Sequence, residues 1–229
     1  MRSTLIMAVL VAFAFAGCQP KVQNLDVKME MATVKSEDWD INVNRSMFSS
    51  TDAALNKSCE VLNGEIKKFV NGLQDSLMAN ATEFFRAIEA DKMERPEWIY
   101  ELQVEDSVFM ATAQYISVRL TTYTFTGGAH GMTNFYTFNY DVKNQKLLSN
   151  QEILNYANEA QINAQLKANF KNPENCFTME PTLEEVTAIN FNETSVCFTY
   201  SHYVLGAYAC GIPEVTVPRT ALKGELLIK

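Results

Sequence analysis

The sequence predicts an α+β fold, with antiparallel sheets, helices packed on them, and two closely joined subdomains. Three observations carry this. Residues 108–126 are rich in β-branched and aromatic side chains with no Gly or Pro, and Met132–Asp141 repeats that character after a glycine-rich break, so the two read as a strand hairpin. Leu55, Cys59, Leu62, Ile66, Phe69, Leu73 and Leu77 recur at spacings of three and four, the stripe of an amphipathic helix laid on a sheet. Beyond residue 141, strand-like and helical segments appear again. Hydrophobic content of 47 % and aromatic content of 11 % suffice for a real core, so the body is not a disordered chain.

The chain opens on a basic Met1-Arg2 followed by the apolar run Leu5–Phe15, which is too short to span a bilayer comfortably and is built like a secretory signal. The run closes on Phe15-Ala16-Gly17-Cys18, similar to the bacterial lipobox, in which a Cys behind small residues is lipidated. Residues 1–17 are therefore expected to be a lipoprotein signal peptide. Cys18 is expected to be the lipid anchor, with 18–27 as its tether and the anchor as the only link to a membrane. The expected location is the cell envelope, periplasmic or on the outer face. The expected domains are 28–131, ending in the glycine loop, and 132–229.

Within the first domain, strands are expected at Lys28–Lys35 and Trp39–Val43. The striped helix should start near Ser50-Thr51-Asp52, all good N-cap residues. A separate helical piece is expected over Ala79–Met93, broken by Pro96, before Trp98, Tyr100, Leu102 and Val104 alternate into a strand ending at Glu105-Asp106. In the long strand after it, Ile116, Val118 and Leu120 share one face while Tyr123 and Phe125 fall on the other. Either a bulge near Thr121-Thr122 flips the register, the reading favoured here, or both faces are covered.

The second domain should begin with a turn at Lys143–Gln145. Ser149-Asn150-Gln151-Glu152 is a capping box that opens a helix. Another helix is expected over 158–170, then a hairpin across Asn192–Thr194, and last a strand bounded by prolines, hence at an edge.

Between the two long strands lies Gly127-Gly128-Ala129-His130-Gly131. Three glycines allow positive φ at little steric cost, and they also allow another molecule to approach the main chain. Two readings follow for His130: a residue of a binding loop, or a turn residue that hydrogen-bonds a neighbouring strand. Aromatic residues cluster on the flanking strands, and Tyr200, Tyr203 and Tyr208 recur later. They read as sheet core or as a face for glycan stacking or a protein partner.

Four cysteines follow Cys18, namely Cys59, Cys176, Cys197 and Cys210. An oxidising compartment permits disulfides among them, and four cysteines allow three pairings. If all are paired, one bridge ties Cys59 to the C-terminal part. Cys59 lies on the apolar face of the helix, where a buried thiol is equally comfortable.

The charge of −8 argues against nucleic acid as partner and mildly favours a basic protein, although such a surface also simply keeps a protein soluble. The two histidines, His130 and His202, are widely separated, with no ligand spacing for a metal. Ser201 and His202 are adjacent, so on a strand they would face opposite ways and could not form a nucleophile–base pair. No cofactor, metal or catalytic residue is expected.

Tyr123-Thr124-Phe125-Thr126-Gly127-Gly128-Ala129-His130-Gly131, then Phe138-Asn139-Tyr140-Asp141, then Tyr203, Tyr208, Gly211 and Glu214–Pro218 resemble the RsiV-like/PdaC-like extracytoplasmic domain pair. That pair occurs in a lysozyme-sensing anti-sigma factor and beside the catalytic domain of a peptidoglycan deacetylase. The resemblance covers nearly the whole chain after the tether. It implies α+β units and a ligand-facing accessory role. The anti-sigma factor has a sigma-binding segment and membrane helix before this region, where a lipobox pattern stands here, so sigma inhibition is not expected. The deacetylase's chemistry resides in a separate metal-binding domain built on Asp and His ligands, which these residues do not supply. The expectation is a lipid-anchored, non-catalytic binding or sensing module for a cell-wall glycan or a wall-degrading protein such as lysozyme. Tyr123, Gly127, Gly128, His130, Gly131, Tyr203 and Tyr208 are its contact residues. The alternatives are a hydrolase of wall material and a structural envelope lipoprotein.

Overall fold

A computed structural model of the protein describes residues 25–228. The expected signal peptide and lipidated Cys18 lie outside the described residues. Among the described residues nine strands form two sheets, with helices packed on them, the α+β class the sequence predicts.

The first sheet has the order β1-β2-β3-β4-β5-β6. Strands β1 (Asp26–Lys35) and β2 (Trp39–Ser49) form a hairpin. Its turn is tied by the Ser36 hydroxyl, which accepts from the N–H groups of Asp38 and Trp39. Helix α1 then runs over Ala53–Ala90. Asp52 caps it by accepting from the N–H groups of Ala54 and Leu55, both at 2.9 Å.

The helix is a single rod of 38 residues, where two pieces were expected. No Gly or Pro interrupts residues 78–80, and the buried stripe continues through Leu77, Ala81, Phe85 and Ile88, so one face stays on the sheet throughout. Pro96 does not end it. The stop is a Schellman motif, in which Met93 N–H reaches Ile88 O, Lys92 N–H reaches Glu89 O, and Lys92 itself takes φ 53°.

Because α1 carries the chain back across the sheet, strand β3 (Tyr100–Ala111) lies parallel to β2, the one parallel pair among otherwise antiparallel neighbours. β3 continues well past Asp106, so the unbroken strand expected over 108–126 is two strands. Thr112 makes the turn, its hydroxyl accepting from the N–H groups of Gln114 and Tyr115. Strand β4 (Tyr115–Phe125) follows, and β5 (Met132–Asp141) returns beside it.

The bulge expected near Thr121-Thr122 is absent from the β4–β5 register. The register shift lies instead in β3, between Val108 and Met110. What places apolar residues on both faces of β4 is cover on both sides. Ile116, Val118 and Leu120 join the core under α1, while Tyr115 belongs to the core of the second lobe. Aromatics of these strands fill the interior, with Phe135, Phe138 and Tyr140 all buried. The division expected at 131/132 falls inside the β4–β5 hairpin, and hydrogen bonding carries the first sheet on to β6 (Lys146–Leu147).

The second lobe opens with α2 (Asn150–Ile153), whose Ser149/Glu152 capping box is formed. Helix α3 (Glu159–Asn169) packs near β9. Strands β7 (Ala188–Phe191), β8 (Ser195–Thr199) and β9 (Glu214–Pro218) make an antiparallel sheet with the proline-bounded β9 at its edge. A buried polar network joins the lobes. Ser117 Oγ donates to Asn139 Oδ1 at 2.7 Å and accepts from Asn190 Nδ2 and Phe191 N–H, each at 3.1 Å, while Asn139 Nδ2 donates to Ile189 O.

Candidate functional site

The β4–β5 hairpin carries the glycine loop to the end of the first sheet, and the segment after β8 meets it there. Three of the loop's glycines are needed for different reasons. A Cβ at Gly127 would lie 2.7 Å from the Trp98 indole, and one at Gly131 would lie 2.5 Å from the Tyr123 ring and 2.6 Å from Thr124 O. Those close approaches are made by the protein's own aromatics, so Tyr123 is packing beneath the loop. Only Gly128, at φ 98° with nothing within 4 Å, leaves its backbone open.

His130 is exposed and sits on a stack. Its ring centroid is 4.2 Å from that of Tyr208, with planes 21° apart, and His202 lies 4.1 Å from the same ring at 20°. Two rings of this size cannot share one face of a phenol, so Tyr208 is held between two imidazoles. Each such contact contributes about 0.5–1.5 kcal/mol beyond buried area. Residues widely separated in sequence are thus brought to one place, although they do not chelate. Among the described residues no three His, Cys, Asp or Glu side chains are grouped to hold a metal.

The hydrogen bonds assign the His130 tautomer. Nδ1 lies 2.9 Å from Gly131 O, and a carbonyl can only accept, so Nδ1 carries the proton. Nε2 of the neutral ring then accepts from the Tyr203 hydroxyl at 3.3 Å. Tyr208 donates to the same Gly131 carbonyl at 3.4 Å. His130 therefore bonds both its own loop and the segment after β8. The turn-residue reading expected a bond to a neighbouring strand; the two bonds go instead to the loop itself and to the Tyr203 turn.

Tyr203 tilts against Tyr208 with centroids 5.7 Å apart, is 57 % exposed, and takes φ 69°, a left-handed conformation uncommon for a large side chain. His202, weighed in the sequence only as a metal ligand or a base, is the residue of the site that was not named among the expected contacts. Its Nδ1 is buried without a hydrogen bond. Burial, and secondarily the neighbouring His130, hold its pKa below the ordinary value, while the Tyr208 backbone pulls weakly the other way. The signal that could have found it is its place directly before Tyr203. Ser201 does not pair with it; that hydroxyl lies 3.0 Å from the Thr187 hydroxyl.

The Tyr208–Cys210 turn is fastened by a Cys176–Cys210 disulfide and by a bridge between Phe177 and Gly206. Of the four candidate cysteines, the other two are free and buried. Cys59 is wholly enclosed on the inner face of α1 and Cys197 sits in β8, and burial pushes both thiols up. Cys59 belongs to the core under the first sheet's helix, whereas Cys197 lies beside Arg119 and Glu214 on the other face of β8 from Val196 and Phe198. The site is thus a rigid shelf of Tyr203, His130, Tyr208 and His202, with an open glycine backbone beside it.

Two family models match the chain in succession. The one described as Deacetylase PdaC covers residues 31–133, and the one described as a protein of unknown function, DUF3298, covers 139–220. No curated protein matches. Among solved structures, a DUF3298 family member from Bacteroides fragilis is 18 % identical with a TM-score of 0.66, covering 90 % of this chain and 95 % of that one. A DUF3298 family protein from Pseudomonas aeruginosa is 21 % identical with a TM-score of 0.58, covering 88 % and 94 %. At these identities the likeness concerns the fold. Domains of these kinds are extracytoplasmic, and no described helix is long and apolar enough to cross a membrane, which is compatible with an exported cell-envelope protein. The chain thus carries, in tandem, a match to a PdaC-type domain and a match to a DUF3298 domain.

Proposed function

We propose that the protein is a lipid-anchored, non-catalytic binding or sensing module of the cell envelope, and that the Tyr203–His130–Tyr208–His202 shelf is its contact surface. The observation that carries this reading is Tyr203. An aromatic side chain is held out to solvent by a strained backbone, over a stack made rigid by a disulfide and a second histidine. Strain of this kind persists where the surroundings over-determine it, and such places cluster at ligand clamps. Flat rings with polar tips suit the apolar face and hydroxyls of a sugar, or a protein partner.

The proposed ligand is a cell-wall glycan or a wall-degrading, lysozyme-like protein. The acidic composition would steer a basic partner toward the module. Anchoring would come through Cys18. Calorimetric titration of the chain with lysozyme and with soluble peptidoglycan fragments tests the reading. Saturable binding to one of them is expected, and heat that continues with turnover of the fragments would replace it with a hydrolase.

A further inference from the structure

We infer that the outer edge of β1 is a self-association surface on which a second copy of this chain adds its own β1, antiparallel about a two-fold axis at Met29. β1 ends the first sheet, and among the described residues no strand pairs with its outer side. All ten of its residues are exposed, and its register against β2 is unbroken. It therefore has none of the bulges or prolines that usually blunt an edge.

The pairing with β2 decides which groups are free. Ser36 N–H donates to Trp39 O at 2.9 Å, so this pair is of the hydrogen-bonded kind. Alternation from that pair along the ladder turns the main chain of Asp26, Lys28, Glu30, Ala32 and Val34 toward β2. The N–H and C=O groups of Val27, Met29, Met31, Thr33 and Lys35 point outward, unpaired.

The side chains, which stand on the faces of the sheet, favour the same occupant. Met29 and Met31 are 57 % and 75 % exposed. Their cross-strand neighbours on β2 are Ser46 and Asn44, so neither has an apolar partner across the β1–β2 ladder. A two-fold axis at Met29 sets Met29 against its own copy and Val27 against Met31 of the second copy. It also sets Lys28 against Glu30 of the second copy, twice by symmetry. Axes at Lys28 or Glu30 oppose like charges, which is destabilising. An axis at Met31 sets Lys28 against Val34 and gains no charge pair. Glu30 already meets Arg45 from within its own chain, yet its side chain remains 51 % exposed, leaving oxygens for the second lysine. An axis at Val27 also pairs opposite charges, Asp26 with Lys28, but overlaps only three residues of each β1, whereas the Met29 axis overlaps seven. Charge complementarity and strand overlap together select the second copy and its register.

The test uses the full-length chain in mild detergent. Met29→Cys should be joined to its copy by a short bifunctional thiol reagent well above the level of the wild-type cysteines, and Thr33→Cys should not. Met29→Pro removes an outward N–H and no hydrogen bond to β2, and an edge strand tolerates its fixed φ, so it should leave the melting curve close to wild type while abolishing the dimer in sedimentation. Lys28→Glu should raise the dimer dissociation constant at least about tenfold. Three results overturn the proposal: no Met29→Cys product above wild type, stronger trapping at Met31→Cys, or a chain that stays monomeric and uses β1 to bind lipid vesicles.

Discussion

His130 and His202 lie against opposite faces of the Tyr208 ring, at centroid distances of 4.2 and 4.1 Å. One comes from the hairpin of the first sheet and the other from the segment after β8, so the stack closes the seam between the two lobes at the point where Tyr203 reaches solvent.

The stack makes stability depend on pH. Burial holds the folded pKa of His202 below its ordinary 6.5, so the unfolded chain takes up the proton first as pH falls. The contribution is intact above about pH 6.5 and is lost progressively below it. Urea melts between about pH 7.5 and pH 5 should show that decline, and His202→Gln should flatten it.

Gly131 cannot accept a side chain without moving Tyr123 or Thr124 O. Gly131→Ala should destabilise by about 1–3 kcal/mol as an overpacked position. Gly128→Ala meets no atom and bears only the backbone cost of its φ, so it should cost about 1–2 kcal/mol and leave the shelf in place. Thermal melts of both variants, with His130 ring resonances as the local probe, check the contrast.

The disulfide closes a loop with a sequence separation of 34. Reducing it should cost about 3–4 kcal/mol on the chain-entropy account and should loosen Tyr208. Alkylation of the unfolded, unreduced protein followed by peptide mass analysis should find Cys176 joined to Cys210, with Cys59 and Cys197 carrying the label. A Cys59 bridge would contradict this arrangement.

Ser117 Oγ serves three groups at the lobe interface. Ser117→Ala strands buried donors of Asn190 and Phe191, and a loss of about 1–3 kcal/mol is expected. Chemical denaturation measures it.

What was legible in the sequence follows from how local each signal is. The α1 stripe, the Asp52 cap, the Ser149 capping box and the glycine hairpin are each written within a few residues, and all form. The parallel β2–β3 pair, the cover on both faces of β4 and the His202 side of the stack are not local. Each depends on where a distant segment packs. Thr112 escaped notice because its hydroxyl makes a turn without Gly or Pro, and the expected break in α1 failed because its stripe simply continues through Ala81 and Phe85.

The most direct measurement is the affinity of Tyr203→Ala for lysozyme and for soluble peptidoglycan fragments, set beside wild type by calorimetry. The side chain is 57 % exposed, so its removal should spare the fold, as an unchanged melting curve would document. The account predicts saturable wild-type binding to one ligand and at least about a tenfold loss in the variant. Equal affinity in the two proteins, or no binding by either, would contradict it.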